Sequence, residues 1–213
     1  MSLTASQKWL ATINALYIAG FAIYYLSIRN YEFLWYVLVT SAIIGLILLT
    51  LPRTKFDNLI LGGLSLWGLM HMAGGGVRLG GQVLYKLPIL HLFGSGESLV
   101  LKFDQLVHFF GFAVATLVFY HLLRPYLSTT INWRVLFPLI VLGGMGLGAF
   151  NEMIEFAAVV MLDQTGVGGY WNTSLDLVFN FIGALAAAVV INYRYRYART
   201  SADLRGQQSF GSQ

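Results

Sequence analysis

Apolar residues run along this chain in long blocks instead of alternating or recurring on one helical face. Six blocks have about the 20 mainly apolar residues needed to cross a bilayer core: 9–28, 33–51, 58–77, 98–123, 135–162 and 173–192. The fourth and fifth exceed that length, which predicts tilt or interfacial ends. The first follows Lys8, yet it is too long for the apolar part of a signal peptide and no small-x-small cleavage site follows it. It reads as an uncleaved helix. The one long connection is 78–97. Its apolar middle, 84–93, contains Pro88 and is too short to span, so an interfacial or re-entrant segment is expected there. The predicted fold class is all-α, a polytopic transmembrane bundle of six helices in one domain, 1–197. A polar, disordered tail over 198–213 is expected to follow.

Composition agrees with the pattern. The 213 residues are 57% hydrophobic and only 10% charged, against roughly a quarter charged in soluble domains, which excludes an ordinary water-soluble globule. Cysteine is absent, so disulfides, thiolate metal sites and cysteine nucleophiles are excluded as well. The net charge of +4 is unevenly distributed. With the N-terminus inside, nine Lys and Arg fall on the cytoplasmic side; four (Arg29, Arg78, Lys86 and Lys102) fall outside. The positive-inside rule then places both termini in the cytoplasm. Residues 193–197 alternate Tyr and Arg. They are expected to anchor at lipid headgroups and not to bind nucleic acid.

Candidate chemistry lies in the few ionisable groups within the spans, which are costly there and mark function by default. The fourth span carries Asp104 and His108, about 40° apart around a helix. The fifth carries Asn151, Glu152 and Glu155, the two acids about 60° apart; the sixth carries Asp176 and Asn180. The third adds His71. Depths at about 1.5 Å per residue put His71 about 9 Å inside its span, Asp104 and His108 about 9 and 15 Å, Glu155 and Glu152 about 10 and 15 Å, and Asp176 and Asn180 about 5 and 10 Å. All seven fall in the outer half of the membrane, which predicts a polar pocket open to the external face or the outer leaflet.

Four carboxylates in such a pocket cannot all remain ionised uncompensated, so shared protons or a cation must offset the charge. Asp104, His108, Glu152, Glu155 and Asp176 are the candidate catalytic and metal-ligating residues, with His71, Asn151 and Asn180 in support. Carboxylates with one or two imidazoles suit Mg²⁺, Ca²⁺ or Mn²⁺, and Zn²⁺ if both histidines bind. The alternative is that these groups only hydrogen-bond helices together, at about 0.6–2 kcal/mol each. His91 and His121 read as an exposed loop residue and an interfacial one. Gly144-x-x-x-Gly148 reads as a helix-packing motif.

The run Asp104-Gln-Leu-Val-His108, then Asn151-Glu-Met-Ile-Glu155, then Asp176-Leu-Val-Phe-Asn180-Phe-Ile-Gly183 resembles the VanZ-like superfamily in motif order and spacing, over about 98–192. His71-Met-Ala-Gly74-Gly75 resembles the YjdF-type inner-membrane proteins, a branch of unknown function. Glu155 stands where VanZ-like proteins often have Gln, and 169–172 reads Gly-Tyr-Trp-Asn where relatives carry an Arg-containing stretch or Gly-Asp. The resemblance implies a cell-envelope role, since VanZ is linked to teicoplanin resistance, and supplies no reaction.

Three functions fit. The first is a membrane protein whose acidic pocket binds a divalent cation and acts on an envelope lipid or lipid-linked glycan. The second is a non-enzymatic subunit packing against a larger membrane complex. An ion or proton transporter is the third and is the least supported, because no inverted repeat is visible and the cytoplasmic half lacks polar residues for a path.

Overall fold

A computed structural model of the protein describes residues 3–91, 100–128 and 131–210. Six helices are long and apolar enough to cross a membrane: α1 (Ala5–Ser27), α2 (Tyr31–Thr54), α3 (Asn58–Gly76), α4 (Phe103–Leu123), α5 (Trp133–Met161) and α6 (Tyr170–Phe210). The bundle therefore has the predicted class. The local sequence starts α1, α2, α3 and α5 with ordinary side-chain caps. Thr4 and Gln7 form a reciprocal capping box, while Asn30, Asp57 and Asn132 accept from the first-turn amides of Phe33, Ile60 and Arg134. These side chains satisfy donors that a helix start leaves free. At the end of α2, Pro52 precedes a left-handed Lys55, φ 52°, which terminates the helix.

Among the described residues, the connection after α3, where the sequence predicts an interfacial or re-entrant segment, forms two small antiparallel sheets and a 3-10 turn (Leu84–Lys86). β1 (Arg78–Leu79) pairs with β2 (Gln82–Val83) across Gly80-Gly81, both at positive φ as a tight hairpin turn requires. β3 (Pro88–His91) pairs with β4 (Val100–Lys102). Pairing of Val100–Lys102 delays α4 to Phe103, so Asp104 stands in the first turn, about 1.5 Å from the helix start, and His108 about 7.5 Å. The expected start of this span at 98 lies outside the described residues. A short apolar run reads equally as strand or helix, and only pairing decided it. At the other end of the chain, α6 is helical through the segment expected to be a tail, as far as Phe210.

Two ends of the bundle can be distinguished. The α1–α2, α3–α4 and α5–α6 connections meet at one, the hairpin end, where the Gly166 amide donates to the Glu32 carboxylate at 2.5 Å. At the opposite end His121 donates to the Thr54 carbonyl at 2.8 Å and packs on Phe56, so its role is to tie α4 to the α2–α3 turn. The core is divided in the same way. Leu136, Ile140, Val141, Ala184, Ala188 and Ile191 join α5 to α6. Tyr25, Phe33, Tyr36, Met72 and Ala158 fill the hairpin end between α1, α2, α3 and α5, where the buried Tyr25 hydroxyl donates to the Met72 carbonyl.

α4 and α6 approach each other closely enough for their backbones to touch. A Cβ built on Gly183 would lie 2.2 Å from the Phe109 carbonyl oxygen. Only glycine allows this contact between backbones. The expected Gly144 and Gly148 motif works similarly on α5: Gly144 faces Thr116 and Ala184, and Gly148 faces Asn180.

Candidate functional site

These close approaches bring α4, α5 and α6 together around one imidazole. His108, 6% exposed, has Asn180 Oδ1 3.0 Å from Nδ1. An amide oxygen can only accept, so Nδ1 carries a proton, and in the neutral imidazole Nε2 is the nitrogen left to bind a cation. Nε2 lies 3.7 Å from Asp104 Oδ1 and 3.9 Å from Glu155 Oε1, while Glu152 Oε1 is 3.6 Å from Nδ1.

Amides hold the carboxylates in turn. Asn172 Nδ2 donates to Asp176 Oδ2 at 2.6 Å and to Asp104 Oδ2 at 3.1 Å. Gln105 Nε2 donates to Asp176 Oδ1 at 3.0 Å, and its own Oε1 accepts from the Lys102 amide. Asn151 Nδ2 donates to Glu155 Oε1 at 2.9 Å. Asp176 and Asn180 are fully buried. Among the described residues the only charge-pairing partner of these acids is His108. Buried Glu152 Oε1 and Asn180 Nδ2 have no hydrogen-bond partner there, a costly state that a ligand or water would relieve.

The donor atoms form two triads that share His108. Those of Asp104, His108 and Asp176 lie within 4.8 Å of one another, as do those of His108, Glu152 and Glu155. An oxygen-rich set with one nitrogen is the chemistry of a hard or borderline divalent cation. The hydrogen bond from His108 Nδ1 to Asn180 is the kind of outer contact that fixes a ligating histidine's tautomer.

All five candidate ligands are therefore in one cluster, with Asn180 and Asn151 hydrogen-bonded to its members. His71 stands apart. Its Nδ1 is 2.5 Å from the Tyr85 hydroxyl, its ring packs on Phe33 and Tyr36, and it belongs to neither triad. Burial, with the Asp104 and Glu155 carboxylates adding to it, pushes the Tyr85 hydroxyl well above its ordinary range. It stays neutral and donates to His71.

The cluster opens at the hairpin end into a basin of about 1380 Å³. Asp104, Glu155, Glu32, His71 and Tyr85 line it, and Arg29, Lys86 and Lys102 add positive charge.

Sequence reasoning missed Gln105, Asn172, Glu32 and Tyr85. Asn172 lies four residues before Asp176 and Gln105 is next to Asp104, so a later start to α4 and an earlier start to α6 would have placed both. Glu32 fell one residue outside the expected second span. Nothing in the sequence marked Tyr85, which the β2–β3 connection delivers.

Residues 9–197 match a family described as Predicted membrane protein (DUF2238). The chain belongs to that family. No curated protein and no solved structure matches it.

Proposed function

We propose that this DUF2238 protein binds a divalent cation at the His108 cluster and, with it, acts on the headgroup of an envelope lipid or lipid-linked glycan at the outer side of the inner membrane. The observation that carries this reading is the single imidazole with a proton held on Nδ1 by Asn180 and Nε2 facing the carboxylates of Asp104 on its own helix and Glu155 on α5. Buried carboxylates without Lys or Arg partners require compensating positive charge, and a divalent ion supplies it in one step. Asp104 and Glu155 reach the basin as well as the cluster, so a headgroup there meets the same side chains that hold the ion.

The reaction class is metal-assisted hydrolysis or group transfer. Asp104, His108, Glu152, Glu155 and Asp176 would hold the ion, which would supply Lewis-acid polarisation of a headgroup oxygen; one of the carboxylates would take the proton of the attacking hydroxyl or water and return it to the leaving oxygen as its bond breaks. The motif order shared with VanZ-like proteins supports an envelope substrate. The nine-to-four excess of Lys and Arg supports an outward-facing hairpin end.

The test is metal analysis of detergent-purified protein, wild type beside Asp104→Asn and Glu155→Gln, with thermal unfolding as the folding control. Stoichiometric Mg, Ca, Mn or Zn in wild type and its loss in folded variants is expected. Equal trace metal in all three refutes the cation site.

A further inference from the structure

A second space, used by nothing above, meets the basin. It is a groove of about 110 Å³ between α1, α2, α3 and α5, walled by side chains such as Val39, Ile43, Ile47, Leu64 and Trp67. Tyr36, His71 and Glu155 line both the groove and the basin, so the two adjoin across these side chains next to the cluster. From Tyr36 to Leu51 along α2 the groove runs about 22 Å, more than the roughly 15 Å of one leaflet's hydrocarbon. It opens sideways where Ile43 and Leu48 are 40% and 38% exposed.

Several of its polar groups are already satisfied by protein, while Thr40 and Trp67 also line it. Asn14 Nδ2 donates to Ser65 Oγ and to the Leu10 carbonyl, both at 2.7 Å. Tyr17 donates to Asn14 Oδ1, and Ser65 to the Leu61 carbonyl. A guest is therefore offered apolar surface along the shaft. At the junction with the basin the opposite holds: the buried Tyr36 hydroxyl has no hydrogen-bond partner among the described residues. Beyond it stand Arg29, Lys86 and Lys102, none of which forms an ion pair among the described residues.

We infer that the groove seats part of one hydrocarbon chain of a lipid, the remainder lying in the bilayer to which the groove opens, with the anionic phosphate headgroup in the basin. The apolar shaft takes the chain, the unpartnered Tyr36 hydroxyl meets the linkage between chain and head, and the basic rim with the cluster's cation takes the phosphate. This identifies the substrate class for the function proposed above and rests on that reading.

The probe is octadecyl phosphate, compared with octadecanol and inorganic phosphate, with retention on the detergent-purified protein read by native mass spectrometry. Octadecyl phosphate is expected to bind more tightly than either fragment. Ile44→Trp, which fills the groove midway, should weaken it by about tenfold or more, since excluding two methylenes suffices for that, while metal content stays at the wild-type level. Leu46→Trp, on the 61% exposed face of the same helix, is the control for α2 and should bind as wild type. Should Ile44→Trp fail to fold, Val39→Phe takes its place. Octadecyl phosphate binding unchanged by both groove variants, in protein that holds its metal, overturns the groove assignment. Groove-sensitive binding in a protein without metal supports the groove and overturns the cation reading alone.

Discussion

Gly183→Ala is the sharpest test of how the bundle builds its site. The added Cβ would lie 2.2 Å from the Phe109 carbonyl oxygen and 3.0 Å from the Ala113 amide nitrogen, whereas ordinary contact begins at 3.4 Å. Both opposing atoms are backbone, so no side chain can rotate away, and α6 must move from α4 by about 1 Å. Overpacking of this kind costs about 1–3 kcal/mol. Asn180 is three residues, about 4.5 Å, along the same helix. The same displacement stretches its 3.0 Å contact with His108 Nδ1 to about 4 Å, beyond hydrogen bonding. Loss of an outer contact that orients a metal ligand weakens metal affinity by about 10–100-fold. Thermal unfolding in detergent and metal titration of the same preparation read the two effects. Gly62→Ala is the control, since a Cβ there meets nothing within 4 Å, and it should be neutral or slightly stabilising. Wild-type stability and wild-type metal affinity in Gly183→Ala would refute the argument that close α4–α6 packing sets the site.

Asn180→Ala should reproduce the 10–100-fold loss of metal affinity without the helix displacement, as metal titration would show. Tyr85 has a pH signature. Its hydroxyl is held neutral in the fold while the unfolded chain ionises near about 10, so the unfolded state binds fewer protons and stability falls as pH rises above about 10. Tyr85→Phe should fall less steeply over that range in unfolding measured against pH. His121→Ala removes the tie to Thr54 at the opposite end. It should cost about 1–3 kcal/mol in thermal unfolding and leave metal content unchanged. Orientation is directly accessible because the chain has no cysteine. A membrane-impermeant maleimide should label Gln82→Cys in intact cells and Tyr126→Cys only after permeabilisation; the reverse pattern would overturn the outward-facing basin.

The sequence by itself determined the helices and the identity of the central side chains. A block of about 20 apolar residues has one solution in a bilayer, because every backbone amide must be satisfied within its own segment, so six spans follow from hydrophobicity alone. Asp104, His108, Glu152, Glu155, Asp176 and Asn180 were legible for the related reason that polar groups in such blocks stand out against their cost. Spacing of three or four residues also predicted that each pair would face one way.

Tertiary structure decided the rest. Which helices neighbour one another depends on backbone approach, and Gly183 against Phe109 became meaningful only once α4 and α6 were side by side. Strand pairing of Val100–Lys102 moved Asp104 from an expected depth of about 9 Å to the first turn of α4. The amides that hold the cluster, Gln105 and Asn172, act across about 70 residues of chain, a separation that helical periodicity cannot encode. The groove beside the cluster is made by residues ordinary for any membrane helix. Only the spacing of α1, α2, α3 and α5 turns their surfaces into a space.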